Sequence, residues 1–177
     1  MAAKTDIWIY AHWKGLDKPK CIGILTAQQA KGRKAFSFSY SDDWIISEEQ
    51  QLLDPDITWY KGQQYPNGKE NFGILLDSMP DTWGRTLMRR RAAMIALEQG
   101  KPTPVLHDTD YLLGVHDLSR MGALRLKTSP EGHFLDDDPH TSTPPWASIR
   151  ELQHAAALIE SNNDTLEVRK WLTMLTD

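Results

Sequence analysis

The sequence predicts an α+β fold, an antiparallel β-meander followed by helices and a further hairpin. Three observations carry that expectation. The first 40 residues hold three short runs rich in aromatic and β-branched residues; the stretch from Pro80 to Glu98 has helical spacing; and a second strand–turn–strand pattern follows the prolines at 102 and 104.

Ile7–Trp13 reads as the first strand, and Lys14-Gly-Leu-Asp-Lys-Pro19 as the turn after it. Cys21–Thr26 is the second strand. Phe36, Phe38 and Tyr40 alternate with Ser37 and Ser39, the period-two pattern of a half-buried third strand. Ser41 can cap a short helix over Asp42–Ile46, whose two aspartates favour the positive end of the helix dipole. Residues 47–71, with Asp54-Pro55 and Tyr65-Pro-Asn-Gly68, read as loop with one strand at Ile57–Tyr60.

The helix over 80–98 starts with Pro80 in its first turn and Asp81 near its start, and ends at Gly100 and Pro102. Trp83, Leu87, Met88 and Ile95, with Met94 or the Arg91 stem, form one apolar stripe expected to face the core. Lys101-Pro-Thr-Pro104 disfavours helix and reads as a stiff connection, so a boundary is placed at residue 103. Beyond it, Asp108-Thr-Asp110 can cap a short helix over Tyr111–Leu113 that Gly114 ends. Gly122–Thr128 and His133–Leu135 suggest a hairpin around Ser129-Pro-Glu-Gly132. Trp146, Ile149, Leu152, Ala156 and Ile159 mark a further helix, and Leu166, Val168, Trp171, Leu172 and Leu175 another.

Composition narrows the function classes. Apolar residues at 40% and charged residues at 25% suit a globular chain, and the seven tryptophans suggest an aromatic core. A net charge of −4 argues against direct nucleic-acid binding, which needs a basic face to displace counterions. The lone Cys21 excludes an internal disulfide and fits a reducing cytoplasm. No secretory signal opens the chain, and no apolar run approaches the ~18 residues of a membrane span, so a cytoplasmic location is expected.

The search for chemistry returns no catalytic, cofactor-binding or metal-binding residues. No two of the eleven glycines are separated by a single residue, so no Gly-x-Gly phosphate loop exists. Neither a His-Arg-Asp catalytic loop nor Asp-Phe-Gly is present. The segment His133-Phe-Leu-Asp-Asp-Asp-Pro-His140 clusters possible ligands but lacks a turn to shape them, and a solvated acidic loop explains it better. The pairs His107-Asp108 and His116-Asp117 suggest metal-dependent hydrolysis only faintly, because no further ligand set accompanies them; a helix cap and a turn residue account for the aspartates.

Arg85, Arg89, Arg90 and Arg91 make a basic cluster. Arg85 and Arg89 share a helix face and could grip an acidic partner or a phosphate, and a solvated surface is the competing explanation. Trp171 and Leu172 on the last helix are a second candidate contact, since that apolar face has no following partner in the sequence.

Two stretches carry a family resemblance. Phe72-Gly-Ile-Leu-Leu-Asp-Ser-Met-Pro-Asp-Thr-Trp-Gly-Arg85 is similar to a signature of HipA-like toxin kinases, with two residues more than the family's pattern, and Met121-Gly-Ala-Leu-Arg125, within Tyr111–Arg125, resembles a strand of the same family. The three opening strands and Phe134–Asp138 also look like that family. The resemblance implies a small, barrel-like N-terminal module over residues 1–103, then the beginning of a kinase-like N-lobe over 104–177. Members are serine/threonine kinases of toxin–antitoxin pairs, act on components of translation, and are paired with a DNA-binding antitoxin. The family's nucleotide loop and catalytic residues come later in its members, and the chain stops at Asp177, about where that loop is expected. The resemblance therefore implies a non-catalytic docking portion, with ATP and magnesium belonging to a kinase core elsewhere. Two alternatives stand beside it: a separate antitoxin-like subunit restraining a kinase encoded nearby, and an unrelated small enzyme using His107, Asp108, His116 and Asp117.

Overall fold

A computed structural model describes residues 4–30, 33–47, 51–117 and 120–135, together with Gln153, His154, Ala156, Ala157 and Glu160. Their elements are β1 (Lys4–Ala11), β2 (Lys20–Ala30), β3 (Arg33–Tyr40), α1 (Asp42–Ile45), α2 (Gly73–Asp77), α3 (Thr82–Glu98), α4 (Asp108–Leu113) and β4 (Leu124–Lys127). The fold is α+β. The chain divides into two compact units, Met1–Met79 with Arg120–Leu135, and Pro80–Ser119 with Asp136–Asp177. The exposed Lys101–Pro104 stretch lies inside the second.

In the first unit the strands form one open antiparallel sheet in the order β3-β2-β1-β4. The meander read from the sequence is present, but the sheet does not close, so it is not a barrel. Register explains the core. Ile7 faces Leu25, which faces Phe38; Ile9 faces Leu126 on one side and Gly23 on the other; Ala11 faces Leu124. Because side chains alternate, these residues share one face, and all of them but the bare Gly23 backbone bring buried apolar side chains. Between Ile9 and Tyr10 the pairing shifts by one residue of β2, a bulge that lets the sheet twist.

Gly23 is required by packing. A methyl group there would strike the Ser39 carbonyl and lie 2.7 Å from the Phe38 ring, which folds over the bare backbone. The same ring meets Tyr40 and Phe72 edge-on, at centroid distances of 5.0 and 6.3 Å. The core of this unit is aromatic, built from Phe36, Phe38, Tyr40, Trp44 and Phe72 and not mainly from tryptophan. Among the described tryptophans only Trp44 is buried, meeting Trp13 edge-on, while Trp59 and Trp83 are exposed. Their polar indole N–H makes phenylalanine and aliphatic side chains the cheaper filling for a dry sheet face.

The connection from 51 to 72 departs from its expected form. No strand forms at Ile57–Tyr60. Instead Gln64 bridges to Phe38 on the edge of β3, exchanging backbone hydrogen bonds of 2.9 and 2.8 Å. The Gln64 side chain then holds Thr58, accepting from its N–H at 2.7 Å and donating to its carbonyl at 2.9 Å. One buried amide thus folds the loop back on itself, a tertiary solution that local β-propensity does not encode.

The predicted hairpin is also changed. β4 pairs with β1, through Trp8–Lys127 to Ala11–Leu124, and His12 extends the ladder by donating to the Ala123 carbonyl at 2.8 Å. The return segment contributes a hydrogen bond from Leu135 N–H to the Leu126 carbonyl but no strand. Burying Leu124 and Leu126 against the opening strand outweighs local pairing.

In the second unit α3 begins two residues later than expected, at Thr82. Asp81 is its N-cap, accepting from Gly84 N–H at 2.8 Å, and Pro80 precedes the helix. Its stripe is only partly core: Leu87 is buried, whereas Trp83 and Ile95 are exposed. α4 starts at Asp108, with His107 as N-cap, and the Asp110 carboxylate accepts from the His107 N–H at 2.7 Å. Gln153, His154, Ala156, Ala157 and Glu160 are helical, within the helix expected around Ala156 and Ile159. The helix expected over 166–175 lies outside the described residues.

Candidate functional site

Of the candidate contact residues, Arg85 and Arg89 sit on α3, and Trp171 and Leu172 lie outside the described residues. Arg85 is a hub of the second unit. Its Nε donates to the Pro80 carbonyl at 3.2 Å, its Nη1 to Asp108 Oδ1 at 3.2 Å, and its guanidinium lies over the Tyr111 ring, 4.7 Å from the centroid. A planar fork can hold a carbonyl and a carboxylate while stacking on an aromatic face, which a lysine ammonium cannot do. Much of Arg85's donor capacity therefore serves to tie the start of α3 to α4.

Arg89, one turn on, is exposed and bonds the Thr86 hydroxyl through Nη2 at 2.9 Å. A short polar contact on its own helix leaves this cation the more accessible of the two for an acidic partner.

The residues weighed for hydrolytic chemistry differ in their exposure. Asp108 is not a cap; it is the first residue of α4 and pairs with Arg85. His107 is exposed, while His116 and Asp117 are buried. Among the described residues no group of three His, Cys, Asp or Glu side chains comes together to hold a metal ion, and no helix is long and apolar enough to cross a membrane.

Two sequence stretches, residues 72–85 and 111–125, are structurally joined. Ser78, in the first, is buried after α2, where its hydroxyl donates to the Ile74 carbonyl at 3.0 Å. Arg120, which opens the entry to β4, is buried too, and its Nη1 donates to the Ser78 carbonyl at 3.2 Å across 42 residues of sequence. Next to it Gly122 adopts φ +88°, a left-handed conformation that favours glycine. The edges of these stretches present apolar surface: Leu76 is 40% exposed and Met121 77%.

A cation–aromatic cluster lies on the sheet face opposite the core. Phe134 meets Tyr10 edge-on at 5.3 Å; Arg125 lies 3.7 Å and Lys127 4.7 Å from the Phe134 centroid. The alternation of β4 that buries Leu124 and Leu126 sends Arg125 and Lys127 to this face, and the rings of β1 and the return segment receive them. Burial raises the Tyr10 phenol above its ordinary value, with the Cys21 and Glu131 charges adding to it. Burial likewise raises the Cys21 thiol, which keeps it protonated and a poor nucleophile.

Sequence reasoning did not anticipate Asp54, Gln64 or Arg120. Each is a polar residue in a stretch without periodicity, and each is buried; Asp54 and Arg120 meet partners 20 and 42 residues away, and Gln64 holds Thr58 six residues back. Their only local signal is a polar residue beside a turn, which is too common to single out. Comparisons with family models, with curated proteins and with solved structures return no match to this chain.

Proposed function

We propose that the chain is the non-catalytic N-terminal portion of a HipA-like serine/threonine kinase, acting as a docking or regulatory domain for a kinase core, an antitoxin or a substrate. The observation that carries this reading is the Arg120–Ser78 hydrogen bond, which fastens together the two stretches that resemble the family. In this reading residues 104–177 begin a kinase-like N-lobe, and phosphoryl transfer belongs to a core carrying the glycine-rich loop, lysine and magnesium ligands. The exposed Leu76 and Met121, one in each stretch, and the exposed Arg89 are the contact residues.

The test is co-elution of the purified chain with a separately produced HipA-type kinase core. Binding should be lost in Leu76→Asp or Met121→Asp, with melting temperature unchanged in Met121→Asp, whose side chain is the more exposed. ATP hydrolysis or autophosphorylation by the chain alone would overturn the proposal, as would binding indifferent to both substitutions.

A further inference from the structure

We infer that Asn67 is a site of spontaneous deamidation and backbone isomerisation, chemistry that the fold leaves open at Asn67 while withholding it from Asn71. The inference is independent of the kinase reading. In the reaction the backbone nitrogen of residue i+1, having lost its proton to base, attacks the asparagine Cγ. A new N–Cγ bond forms, the Cγ–amide bond breaks, and ammonia leaves with the proton it needs. Water then opens the cyclic imide at either carbonyl, giving aspartate or isoaspartate, with no oxidant or reductant involved.

Three conditions favour attack: a small residue at i+1, solvent access for the base and water, and freedom of both partners to rotate. Asn67 meets all three. Gly68 follows it, both residues are exposed, and nothing lies within 4 Å of the position a Gly68 Cβ would occupy. Among the described residues neither the Asn67 side chain nor the Gly68 amide is engaged in a hydrogen bond. Gly68 already stands at φ +66°, in a turn that a β-branched or bulky residue would resist.

Asn71, four residues on, fails all three. It is 1% exposed, and Phe72 after it is fully buried against Phe38. The Phe72 N–H, which would have to become the nucleophile, donates to Asn71 Oδ1 at 2.9 Å. That bond keeps the proton on nitrogen and holds the amide by its oxygen, and burial excludes the base that would remove the proton.

Conversion of Asn67 takes the formal charge of −4 one unit further negative. The new carboxylate appears two residues from Lys69, which pairs with Asp56 at 3.3 Å. Isoaspartate also lengthens the backbone in a loop clamped on one side by the Gln64–Phe38 bridge. The altered span therefore lies between that clamp and the buried Asn71.

The test is incubation of the folded full-length chain at mildly alkaline pH, followed by peptide mapping and an isoaspartyl methyl-acceptor assay. Isoaspartate in excess over aspartate is expected at Asn67, with Asn71 unchanged and a more acidic species growing in charge-based separation. The rate at Asn67 should be nearly the same in urea-unfolded chain. Gly68→Ala should retain the fold and lose most of the isoaspartate signal, and Asn67→Gln should lose all of it. Intact Asn67 in the folded chain beside conversion in the unfolded one would overturn the inference, as would comparable conversion at Asn71.

Discussion

Asp54 caps a helix that begins 19 residues later: its Oδ2 accepts the Ile74 backbone N–H at 2.9 Å. The nominal cap residue of α2, Phe72, offers no side-chain acceptor, so the free amides at the helix start are met by a carboxylate from the preceding loop. The other oxygen, Oδ1, accepts from Asp56 N–H at 2.9 Å, which fixes the loop that delivers it. Asp54 is 3% exposed. Asp54→Ala should therefore destabilise the first unit by about 1–2 kcal/mol, the usual cost of removing a cap and leaving a buried donor unmet. Urea unfolding should show a lower midpoint, and Asp54→Asn should recover part of the loss.

Gly23 and Gly122 test two different demands on glycine. At Gly23 an alanine methyl would enter the Ser39 carbonyl and the Phe38 ring, and neither can retreat without breaking the β2–β3 ladder. At Gly122 there is open space, and the penalty is the positive φ alone. Gly122→Ala should cost about 1–2 kcal/mol, whereas Gly23→Ala should cost upwards of about 3 kcal/mol. Thermal unfolding of the two variants side by side checks the ordering.

Arg85 predicts a substitution that is not conservative. Arg85→Lys keeps the charge but loses the fork that bonds the Pro80 carbonyl and Asp108 together while stacking on Tyr111. The side chains of Arg85 and Asp108 remain 31% and 25% exposed, so solvent screens the pair. A loss of about 1 kcal/mol is expected, with measurable coupling to Asp108→Asn in a double-mutant cycle.

Tyr40 predicts an alkaline limb. Burial, helped by the Asp54 charge, pushes its phenol up to about 12. The folded state thus holds the proton more tightly than the unfolded chain, whose tyrosines titrate near ~10. Stability from this group is complete below ~10 and falls as pH rises toward the folded value, because the unfolded state then binds fewer protons. Tyr40→Phe should flatten that decline. Absorbance should show Tyr40 ionising late or only on unfolding.

Several features of this chain were legible in the residues alone. Period-two alternation at Phe36, Phe38 and Tyr40 marks β3, Ser41 marks the start of α1, and Asp81 and Gly100 bracket α3. These are local signals, in which the residue and its effect lie within a few positions of each other. Of the candidate contacts, Arg85 and Arg89 were legible as a helix-face pair, but not that Arg85 spends its donors on Asp108 and the Pro80 carbonyl.

Tertiary structure alone decided where residues 121–127 go. Leu124 and Leu126 suit a hairpin as well as they suit a ladder with β1, and the choice follows from burying them beside Ile9 and Ala11. It also decided that Gln64 clamps a loop, that Asp54 caps a distant helix and that Arg120 holds the Ser78 carbonyl. Each of these is a buried polar group whose partner lies elsewhere in the sequence. A lone polar residue in a loop gains nothing locally that would announce it, and its value arises only once desolvation makes an unmet hydrogen bond costly.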